Sequence, residues 1–311
     1  MKLRIGSRGS KLAVTQAESV AEMLRRAHAS VEIELIRITT TGDRDAASAL
    51  QSIGGKGVFV KEIEEALIAK TIDLAVHSLK DLPQTLPAGL VVGPAPKRED
   101  PRDAVISRFG ELLRELPRGS KIGTGSPRRV AQIRHNFPKR GYHLEPVRGN
   151  VDTRVKKLRD GEFDAIVLAA AGLKRLGLHG DITEILEPDE MLPAPGQGLL
   201  GLELREDDKD TWRLLEVVRD PASDSMCRAE RAFLQGLGGD CLLPVGAYSA
   251  FRGETLLMKA ILLNVDGTRA ISVEQDGPAE APELVGAQLA ERLFHDGGSD
   301  LLLMPNASRL T

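Results

Sequence analysis

A glycine-rich loop in the last third of the chain carries one of the two cysteines of the sequence. Cys241 stands in GLGGDCLLPVG, residues 236–246, where glycines allow backbone angles that other residues avoid and Pro244 closes the loop. Such a loop can bring a thiol close to a bulky group. A lone cysteine is a weak motif, so an inert, half-buried loop cysteine is the competing interpretation.

The other cysteine has a different setting. Cys227 lies in DSMCRAERAFLQGL, where apolar residues recur at helical spacing from Met226 to Leu237. This pattern predicts that Cys227 packs inside a helix. Two cysteines in 311 residues are too few for a disulfide framework, so Cys241 is the thiol we expect to be available for covalent chemistry in a reducing compartment.

The segment GTGSPRR predicts the start of a helix, with Ser126 as N-cap and Pro127 as the first helical residue. Arg128 and Arg129 follow in the first turn, where each cation opposes the helix dipole at a cost of about 0.3 to 1 kcal/mol. A bound anion would explain their placement, and two solvated arginines that bear this cost are the alternative. We favour an anion site, because Arg8 and Ser10 repeat this arrangement in the other half of the chain.

Further arginines occur in other turns. GSRGSK places Arg8 and Ser10 in the same arrangement as SPRR. Arg148 lies in the glycine turn of VRGNVDTRVKKL, Arg154 lies in the helix predicted after it, and Arg175 follows a predicted strand. Each guanidinium can hold a carboxylate through two hydrogen bonds. Arginines from separate turns therefore suit a ligand that carries several carboxylates.

Asp81 stands at the end of a predicted buried strand. HSLKDLP follows IDLAV, so Lys80 and Asp81 come directly after the strand, where the sites of α/β proteins form. An aspartate before Leu-Pro is also a common turn former, and this interpretation competes with acid catalysis.

Lys56 lies among small residues in GDRDAASALQSIGGKGVFVKE, which begins at Gly42. This composition predicts a mobile flap near a site. A disordered surface loop is the alternative interpretation.

The elements that must position these residues repeat along the chain. LRIGSRGSKLAVTQ, from Leu3, and SKIGTGSPRRVAQ, from Ser120, each predict a short strand, a glycine-serine turn and a helix. From Val60 and from Val155, a second pair of segments each predicts a helix, a buried strand and a Leu-Lys turn. Helices that alternate with short apolar strands indicate two similar α/β units, each with a mainly parallel sheet.

Two linkers divide the chain. PAPKREDPRD, residues 94–103, and EPDEMLPAPGQG, which ends near Gly198, predict crossings between the α/β units, after which the strand-like LLGLELRE rejoins the first unit. After about Pro221, short strands separated by RGE and VDG predict antiparallel hairpins, with a closing helix in PELVGAQLAERLF. The predicted domains are residues 1–97 with 197–217, residues 102–193 and residues 220–311.

The predicted fold class is α/β. Two similar domains, like those of periplasmic binding proteins, surround a cleft, and a C-terminal α+β domain with a small antiparallel sheet carries Cys241. Charged residues make up 28% of the chain, hydrophobic residues 41%, and the net charge is -3. This balance argues against general attraction to nucleic acid or to an anionic membrane, so an anion site must be local.

No segment approaches the roughly 20 apolar residues that a membrane helix needs, and the N-terminal MKLRIGSRGSKLAV has no long apolar run. We therefore expect a cytoplasmic protein without a membrane or nucleic-acid partner. We also expect no metal site.

Several short segments occur in the order and spacing of the porphobilinogen deaminases, also called hydroxymethylbilane synthases. They are GSRGSKLAVTQ, GGKGVFVKE, DLAVHSLKDLP, RGNVDTR, LAAAGLKRLG, APGQG and GGDC. Each is weak evidence alone, but VHSLKDLP combined with RGNVDTR and a late glycine-loop cysteine is specific. The sequence therefore resembles this enzyme family over nearly its whole length.

The resemblance implies a transferase that joins four porphobilinogen molecules head to tail. Ammonia leaves at each step, and the linear tetrapyrrole hydroxymethylbilane is released for haem and related pigments. In the family, a dipyrromethane cofactor, which the enzyme builds from its own substrate, is held by a loop cysteine through a thioether and primes the growing chain. Cys241 matches that cysteine. The family also implies a monomer.

The resemblance further implies roles for residues that match the family's motifs. Asp81 matches the catalytic aspartate, which assists the leaving amine and stabilises the cationic azafulvene that remains. The other residues are implied to contact either cofactor or substrate. The cofactor group is Cys241, Lys80, Thr124, Ser126, Arg128, Arg129 and Arg154; the substrate group is Arg8, Ser10, Gln16, Arg148, Arg154 and Arg175, with Lys56 in the flexible loop.

Two positions depart from the family. Pro127 stands where leucine is frequent, which puts the start of the helix and the direction of Arg128 and Arg129 in doubt. Asp240 stands where a small residue is common, and its charge disfavours the thiolate of Cys241. We therefore expect slower loading of the cofactor.

Two other functions fit parts of the sequence. A non-enzymatic, two-lobed binding protein for a small polycarboxylate would share the α/β lobes, but it would have no use for a third domain that presents a thiol. A nucleic-acid binder would use SPRR and RVKKLR, but the net charge and an aromatic content of 3% disfavour it. The enzyme is the favoured interpretation.

Overall fold

The computed structural model describes residues 1–41, 60–238 and 244–303. Two compact units divide the chain. Unit 1 consists of Met1–Pro101, Ala171–His179 and Gly196–Cys227, and unit 2 consists of Arg102–Ala170, Gly180–Pro195 and the residues from Arg228 onward. Three residues singled out in the sequence, Lys56, Asp240 and Cys241, lie outside the described residues.

Strands and helices of the described residues are numbered along the chain. The strands are β1 (Lys2–Arg8), β2 (Glu32–Ile38), β3 (Leu74–Ser78), β4 (Leu90–Val92), β5 (Asp103–Ser107), β6 (Lys121–Gly123), β7 (His143–Glu145), β8 (Ala165–Ala169), β9 (Glu184–Leu186), β10 (Leu200–Arg205), β11 (Val245–Arg252), β12 (Thr255–Leu263) and β13 (Ala270–Pro278). The α-helices are α1 (Lys11–Ala27), α2 (Lys61–Ile68), α3 (Pro127–Asn136), α4 (Val151–Arg159), α5 (Ala170–Arg175), α6 (Lys209–Leu215), α7 (Pro221–Gly236), α8 (Pro282–Leu293) and α9 (Ser299–Leu303). Short 3₁₀ turns are Leu79–Asp81, His179–Asp181 and Glu216–Val218, and a π-helical turn is Phe294–Gly298.

The sheet of unit 1 has the order β2-β1-β3-β10-β4. β1 pairs in parallel with β2 and β3, whereas β10 pairs antiparallel with β3 and β4, so β10 is the reversed strand. Alternate residues of β3 face opposite sides of the sheet. Leu74 and Val76 pack in the cluster that contains α1, and Ala75 packs in the cluster that contains α2. Helices therefore cover both faces around β3.

The first sheet of unit 2 has the order β7-β6-β8-β5-β9. β6 pairs in parallel with β7 and β8, and β5 pairs antiparallel with β8 and β9, so β5 is reversed. The predicted repeats β1–α1 with β6–α3, and α2–β3 with α4–β8, therefore occupy matching places in the two sheets. Only one strand of each sheet runs against the others. The prediction of two similar, mainly parallel sheets is confirmed.

A second sheet of unit 2 is antiparallel, in the order β11-β12-β13. Gly253, with φ of 62°, lies in the turn between β11 and β12. Burial alternates along β12, with Leu256, Met258, Ala260 and Leu262 buried, and α8 packs on β12 and β13. The predicted hairpins and closing helix are confirmed.

The described residues thus form an α/β fold with two similar sheets and a small antiparallel sheet. The strand-like LLGLELRE forms β10, which joins the sheet of unit 1 as predicted. The three-domain division into residues 1–97 with 197–217, 102–193 and 220–311 stays a prediction. In the part of the chain that the structure describes, no helix is both long and apolar enough to cross a membrane.

Candidate active site

The end of β3 carries the residues that the sequence predicted at a strand end. A 3₁₀ turn, Leu79–Asp81, follows Ser78 directly. Leu79 is buried, and its backbone N–H donates to the carbonyl oxygen of Leu199 at 3.0 Å. Asp81 is exposed. The turn therefore fixes the backbone near Asp81 and leaves its carboxylate accessible to a ligand.

Lys80 is held by a residue that the sequence analysis did not select. Its Nζ donates to Oε1 of Gln197 at 3.2 Å. Gln197 is buried, its Nε2 donates to the Pro101 carbonyl oxygen at 2.7 Å, and its own carbonyl oxygen accepts from Arg98 Nε at 2.9 Å. Because Nε2 donates to a carbonyl, the amide must turn Oε1 toward Lys80. The signal for Gln197 lay in APGQG, which indicated only a crossing.

β1 and α1 supply three further predicted residues. Arg8 is the last residue of β1, and Ser10 is the N-cap of α1, where its Oγ accepts from the Ala13 N–H at 3.3 Å. Gln16 is buried, and its Nε2 donates to Ser78 Oγ at 2.9 Å. Gln16 therefore holds α1 against the end of β3.

Arg175 ends α5, in unit 1. Its Nη2 donates to the Gly198 carbonyl oxygen at 2.7 Å. Burial lowers the pKa of Arg175 to about 10, and the charge of Glu99 opposes this shift. Gly198 has φ of 88°, and a Cβ there would lie 2.3 Å from the Glu99 carbonyl oxygen, so only glycine fits. The guanidinium is thus held in a partly buried place, where its attraction to a carboxylate is stronger than in water.

The turn between β6 and α3 lies in unit 2. Pro127 is the first residue of α3 and Ser126 is at the N-cap position, as predicted. The Ser126 side chain makes no capping hydrogen bond, and its backbone N–H donates to Thr124 Oγ1 at 3.3 Å. Thr124 is buried. Ser126 therefore stands at the N-cap position of α3, but its side chain makes no capping hydrogen bond.

Arg128 and Arg129 are 4% and 5% exposed, so the interpretation as two solvated arginines is wrong. Arg128 Nη1 donates to Asp103 Oδ2 at 2.7 Å. Arg129 Nε and Nη2 donate to Asp103 Oδ1 at 3.0 and 2.7 Å. Each also donates to a backbone carbonyl, of Leu192 at 2.6 Å and of Val167 at 2.9 Å. One anion that these cations require is therefore Asp103 of the same unit.

Asp103 is 0% exposed at the start of β5, and the sequence analysis did not select it. Burial alone would raise the pKa of Asp103, but the charges and hydrogen bonds of Arg128 and Arg129 hold it well below its usual range. Burial lowers the pKa of Arg128, and Asp103 opposes this. Two cations face one carboxylate, and Arg128 Nε has no hydrogen-bond partner in the described residues. One buried donor thus remains for a second anion.

Arg148 and Arg154 lie around the start of α4. Arg148 is exposed, and Arg154 is half-buried, with its Nε donating to the Gly149 carbonyl oxygen at 2.8 Å. Gly149 has φ of 108°, a conformation that favours glycine. The glycine turn that the sequence predicted therefore bends the chain directly between these two arginines.

Cys227 lies in α7 and is 3% exposed. It packs in a buried cluster with Leu79, Leu82, Ala95 and Leu199. The prediction that this cysteine serves packing is confirmed.

The predicted site residues in the described part of the chain fall into two groups, one at the strand ends of each unit. Unit 1 holds Arg8, Ser10, Gln16, Lys80, Asp81 and Arg175, and unit 2 holds Thr124, Ser126, Arg128, Arg129, Arg148 and Arg154. Both groups are rich in cations, and the exposed carboxylate of Asp81 belongs to the first. Cations at the strand ends of either unit can hold ligand carboxylates, and the Asp81 carboxylate of unit 1 is a group suited to acid–base chemistry.

Two family models match this chain. One, described as porphobilinogen deaminase, dipyromethane cofactor binding domain, matches residues 3–213. The chain belongs to the porphobilinogen deaminase family. A second model, the C-terminal domain of porphobilinogen deaminase, matches residues 225–295 and includes Cys241. The family predicted from the motifs is therefore confirmed.

Related porphobilinogen deaminases match over almost their full length. The porphobilinogen deaminase of Roseiflexus castenholzii is 48% identical over 300 residues, which are 96% of this chain and 98% of the relative. That of Chromobacterium violaceum is 46% identical over 301 residues, 97% of each chain.

Two solved structures are similar at low identity. The methionine-binding protein MetQ is 13% identical, with a TM-score of 0.44, over 77% of this chain and 95% of that one. A YaeC-family lipoprotein from Enterococcus faecalis is 13% identical, with a TM-score of 0.42, over 70% of this chain and 91% of that one.

Proposed function

We propose that this chain is a hydroxymethylbilane synthase, a transferase that condenses four porphobilinogen molecules head to tail, releases ammonia at each step and frees hydroxymethylbilane. The observation that carries the proposal is the match of residues 3–213 to the family's cofactor-binding domain. That stretch contains Asp81, exposed at a strand end directly after Lys80. The non-enzymatic binding protein is disfavoured, because such a protein needs no cofactor domain.

Asp81 is the proposed catalytic residue. The aminomethyl group of porphobilinogen must leave as ammonia, and the azafulvene that remains carries a positive charge on the pyrrole nitrogen. A carboxylate beside that nitrogen assists departure of the amine and then stabilises the cation. The anchored backbone of Leu79 fixes the position of the carboxylate, while its exposure leaves room for the pyrrole. One group then serves every condensation.

The cations of the two strand-end groups are proposed to hold carboxylates. Each porphobilinogen carries an acetate and a propionate, so a growing chain gains negative charge that arginine pairs through two hydrogen bonds. Arg8, Arg148, Arg154 and Arg175 are proposed for the substrate, with Ser10 and Gln16 as polar neighbours. Gln16 is buried and bonds to Ser78. We therefore propose that it acts on the substrate site indirectly, by holding α1 against the end of β3.

The proposed cofactor is a dipyrromethane attached to Cys241 through a thioether. The residues fit such a group: Arg128 Nε is a buried donor without a partner in the described residues, and Lys80 presents an ammonium group. Lys80, Thr124, Ser126, Arg128, Arg129 and Arg154 are proposed to hold it. When bound, the group supplies the pyrrole carbon to which the first substrate is joined. Arg128 and Arg129 would act there as two cations of fixed orientation, because Asp103 holds both guanidinium groups.

Cys241 is proposed as the anchor partly because Cys227 is unsuitable. The Cys227 thiol lies in the buried cluster with Leu79 and Leu199, where a dipyrromethane would displace core side chains. We further propose a cytoplasmic monomer whose partner is the small-molecule substrate; the role of Lys56 stays a prediction.

The test is turnover. The purified protein is incubated with porphobilinogen, and ammonia and hydroxymethylbilane are measured together. The proposal expects four ammonia molecules per hydroxymethylbilane at steady state. Porphobilinogen that is bound but not consumed would instead support the two-lobed binding protein.

A further inference from the structure

Three buried titratable side chains lie together in unit 1, outside the residues assigned so far. His77 and Glu203 are 6% and 0% exposed, and Nε2 of His77 lies 3.0 Å from Oε2 of Glu203. Glu64, on α2, is 9% exposed, and the charges of both other residues act on it. We call His77, Glu203 and Glu64 the His77 cluster. Its place in the sheet connects it to the proposed catalytic turn.

His77 and Glu203 join neighbouring strands. In the antiparallel register, Gly201 of β10 pairs with His77 and Glu203 pairs with Ala75, so the His77–Glu203 contact crosses the strand pair diagonally. A Cβ at Gly201 would lie 3.3 Å from Leu79 Cδ1, so glycine leaves room for Leu79 at the end of β3. The His77–Glu203 contact thus fixes the register of β3 against β10.

β3 runs into the Lys80–Asp81 turn, and β10 begins directly after Leu199, which accepts a hydrogen bond from that turn. The turn begins at Leu79, two residues after His77, and its Leu79 N–H bonds to Leu199, the residue before β10. Gln197, two residues earlier, accepts from Lys80. A shift of β3 along β10 would therefore break the hydrogen bonds that hold the turn. Among the described residues, the His77–Glu203 contact is a side-chain hydrogen bond between β3 and β10, and it is buried.

The His77 cluster contributes more to the placement of β3 against β10 than to the free energy of unfolding. Burying a polar pair removes the hydration of both groups, which offsets much of the gain from their hydrogen bond. Glu203 Oε1 and Glu64 Oε1 are buried and have no hydrogen-bond partner in the described residues. A hydrophobic pair in place of His77 and Glu203 would avoid the orphaned Glu203 Oε1. What the His77–Glu203 pair adds is a directional hydrogen bond between two strands.

Other charged groups lie around the same elements. At the C-terminal end of α2, Arg205 of β10 donates to the Leu67 carbonyl oxygen and to Asp73, and Asp73 also accepts from Arg4 of β1. Arg8 ends β1, the strand beside β3. Arg205, Asp73 and Arg4 form their own network, so Glu64 is the remaining acidic group whose charge couples to His77 and Glu203.

We propose that His77 and Glu203 are positioning residues for the Lys80–Asp81 turn, because their hydrogen bond fixes β3 against β10 and thereby sets where the Asp81 carboxylate stands. The inference rests on the proposed function of Asp81. Glu64 neighbours this pair without bonding to His77 and serves as its internal control.

The test compares His77→Leu with His77→Gln. Leucine has a similar volume and cannot donate, whereas the glutamine amide can place a donor near the position of Nε2 and bond to Glu203. In steady-state turnover of porphobilinogen by the holoenzyme, His77→Leu should lower kcat roughly ten- to a hundredfold, since small misplacements of reacting groups have effects of this size. KM should stay within about twofold, and His77→Gln should restore most of kcat.

A double-variant cycle separates positioning from general damage. Glu203→Leu removes the acceptor oxygens, so it tests the His77–Glu203 hydrogen bond even if His77→Leu fails to fold. The double variant His77→Leu with Glu203→Leu should have about the same kcat as His77→Leu alone, because both substitutions remove the same hydrogen bond. Assays run well below each variant's melting temperature, with the covalent cofactor confirmed by intact mass.

Glu64→Gln is the matched control. It should leave kcat unchanged and alter stability alone. Burial and the charge of Glu203 raise the pKa of Glu64. The folded protein therefore binds that proton more tightly than the unfolded chain, and its stability falls as pH rises above the unfolded pKa of about 4.3 toward the folded value. Glu64→Gln should flatten this fall in melting temperature.

Three results would overturn the proposal. They are wild-type kcat in both His77→Leu and Glu203→Leu, an equal loss in His77→Leu and His77→Gln, and a loss of kcat in Glu64→Gln as large as that in Glu203→Leu. Failure of the proposed function looks different, because the wild-type protein itself would then release no hydroxymethylbilane.

Discussion

Each α/β unit buries a carboxylate on its reversed strand, Asp103 on β5 and Glu203 on β10, and both are 0% exposed. In unit 2 the partners are Arg128 and Arg129, whose charge is permanent near neutral pH. In unit 1 the partner is a single imidazole, that of His77, whose Nε2 lies 3.0 Å from Glu203 Oε2. Matching strands of two similar sheets thus hold a carboxylate between two guanidinium groups in one unit and a carboxylate beside one imidazole in the other.

The strand-to-helix turns differ as well. Ser10 caps α1 through its side chain, whereas Ser126 makes no capping bond and the start of α3 is held by Asp103. Asp81 of unit 1 is exposed, while Asp103 of unit 2 is enclosed by two arginines. The comparison teaches that a duplicated plan can use one carboxylate for chemistry and the other for structure.

Asp81→Asn should give the largest effect. The amide keeps the shape of the side chain but is neutral, so it cannot stabilise the azafulvene cation that remains when ammonia leaves, and kcat should fall about 10²- to 10⁴-fold. The free energy of unfolding should change by less than about 0.5 kcal/mol, since Asp81 is exposed. Both quantities are measured on one preparation, by turnover and by urea denaturation. Turnover close to the wild-type rate would remove Asp81 from the catalytic role.

Asp103→Asn should do the reverse and act first on stability. It leaves two buried guanidinium groups without their carboxylate, which should lower the free energy of unfolding by about 3 to 5 kcal/mol. Glu187→Gln is the control, because it breaks an exposed pair with Arg102 and should cost less than about 1 kcal/mol. Equal effects of the two variants in urea denaturation would contradict the account of unit 2.

The pH dependence of the free energy of unfolding tests the pairing of Asp103 with Arg128 and Arg129. Arg128 and Arg129 hold the pKa of Asp103 well below its usual range. Its stabilising effect is therefore present above the unfolded pKa of about 3.9 and is lost as pH falls through the lower, folded value. The difference in unfolding free energy between wild type and Asp103→Asn should stay constant from pH 7 to about pH 5 and narrow below about pH 4. A difference that grows on acidification would show that Asp103 is not the ionised partner.

The smallest effect concerns the two serine turns. Ser10→Ala removes a capping bond and should destabilise the protein by about 1 kcal/mol. Ser126→Ala removes no such bond, so its effect on unfolding should stay below about 0.5 kcal/mol. Thermal or urea unfolding of both variants checks this, and a larger effect at Ser126 would reverse the comparison.

Local patterns predicted most of the elements. The repeats of strand, turn and helix, the start of α3 at Pro127, the hairpins after Pro244 and the packing of Cys227 all follow from short stretches of sequence. Each depends on neighbours within one helix or one turn. Asp81 could likewise be placed at a strand end from HSLKDLP alone.

Long-range partners could not be predicted in this way. Asp103 ends a charged linker, so PRDAVIS indicates solvated charge, and nothing local shows that it meets Arg128 after 25 residues. His77 and Glu203 are 126 residues apart, and their meeting depends on β10 entering the sheet beside β3. Gln197 could not be predicted either, because its partner Lys80 lies 117 residues away in the sequence. A charged residue that a local pattern places in solvent can instead be buried and paired. The order of strands in the sheet decides which of the two occurs.

The mass of the intact, active protein tests the central claim most directly. The account predicts that freshly purified, active wild-type protein is heavier than its polypeptide by two pyrrole units and stains with an aldehyde reagent for pyrroles. Cys227→Ser should keep this added mass, and Cys241→Ser should lose both the mass and the activity. Active wild-type protein with the mass of the bare polypeptide, or an adduct that is lost only in Cys227→Ser, would contradict it.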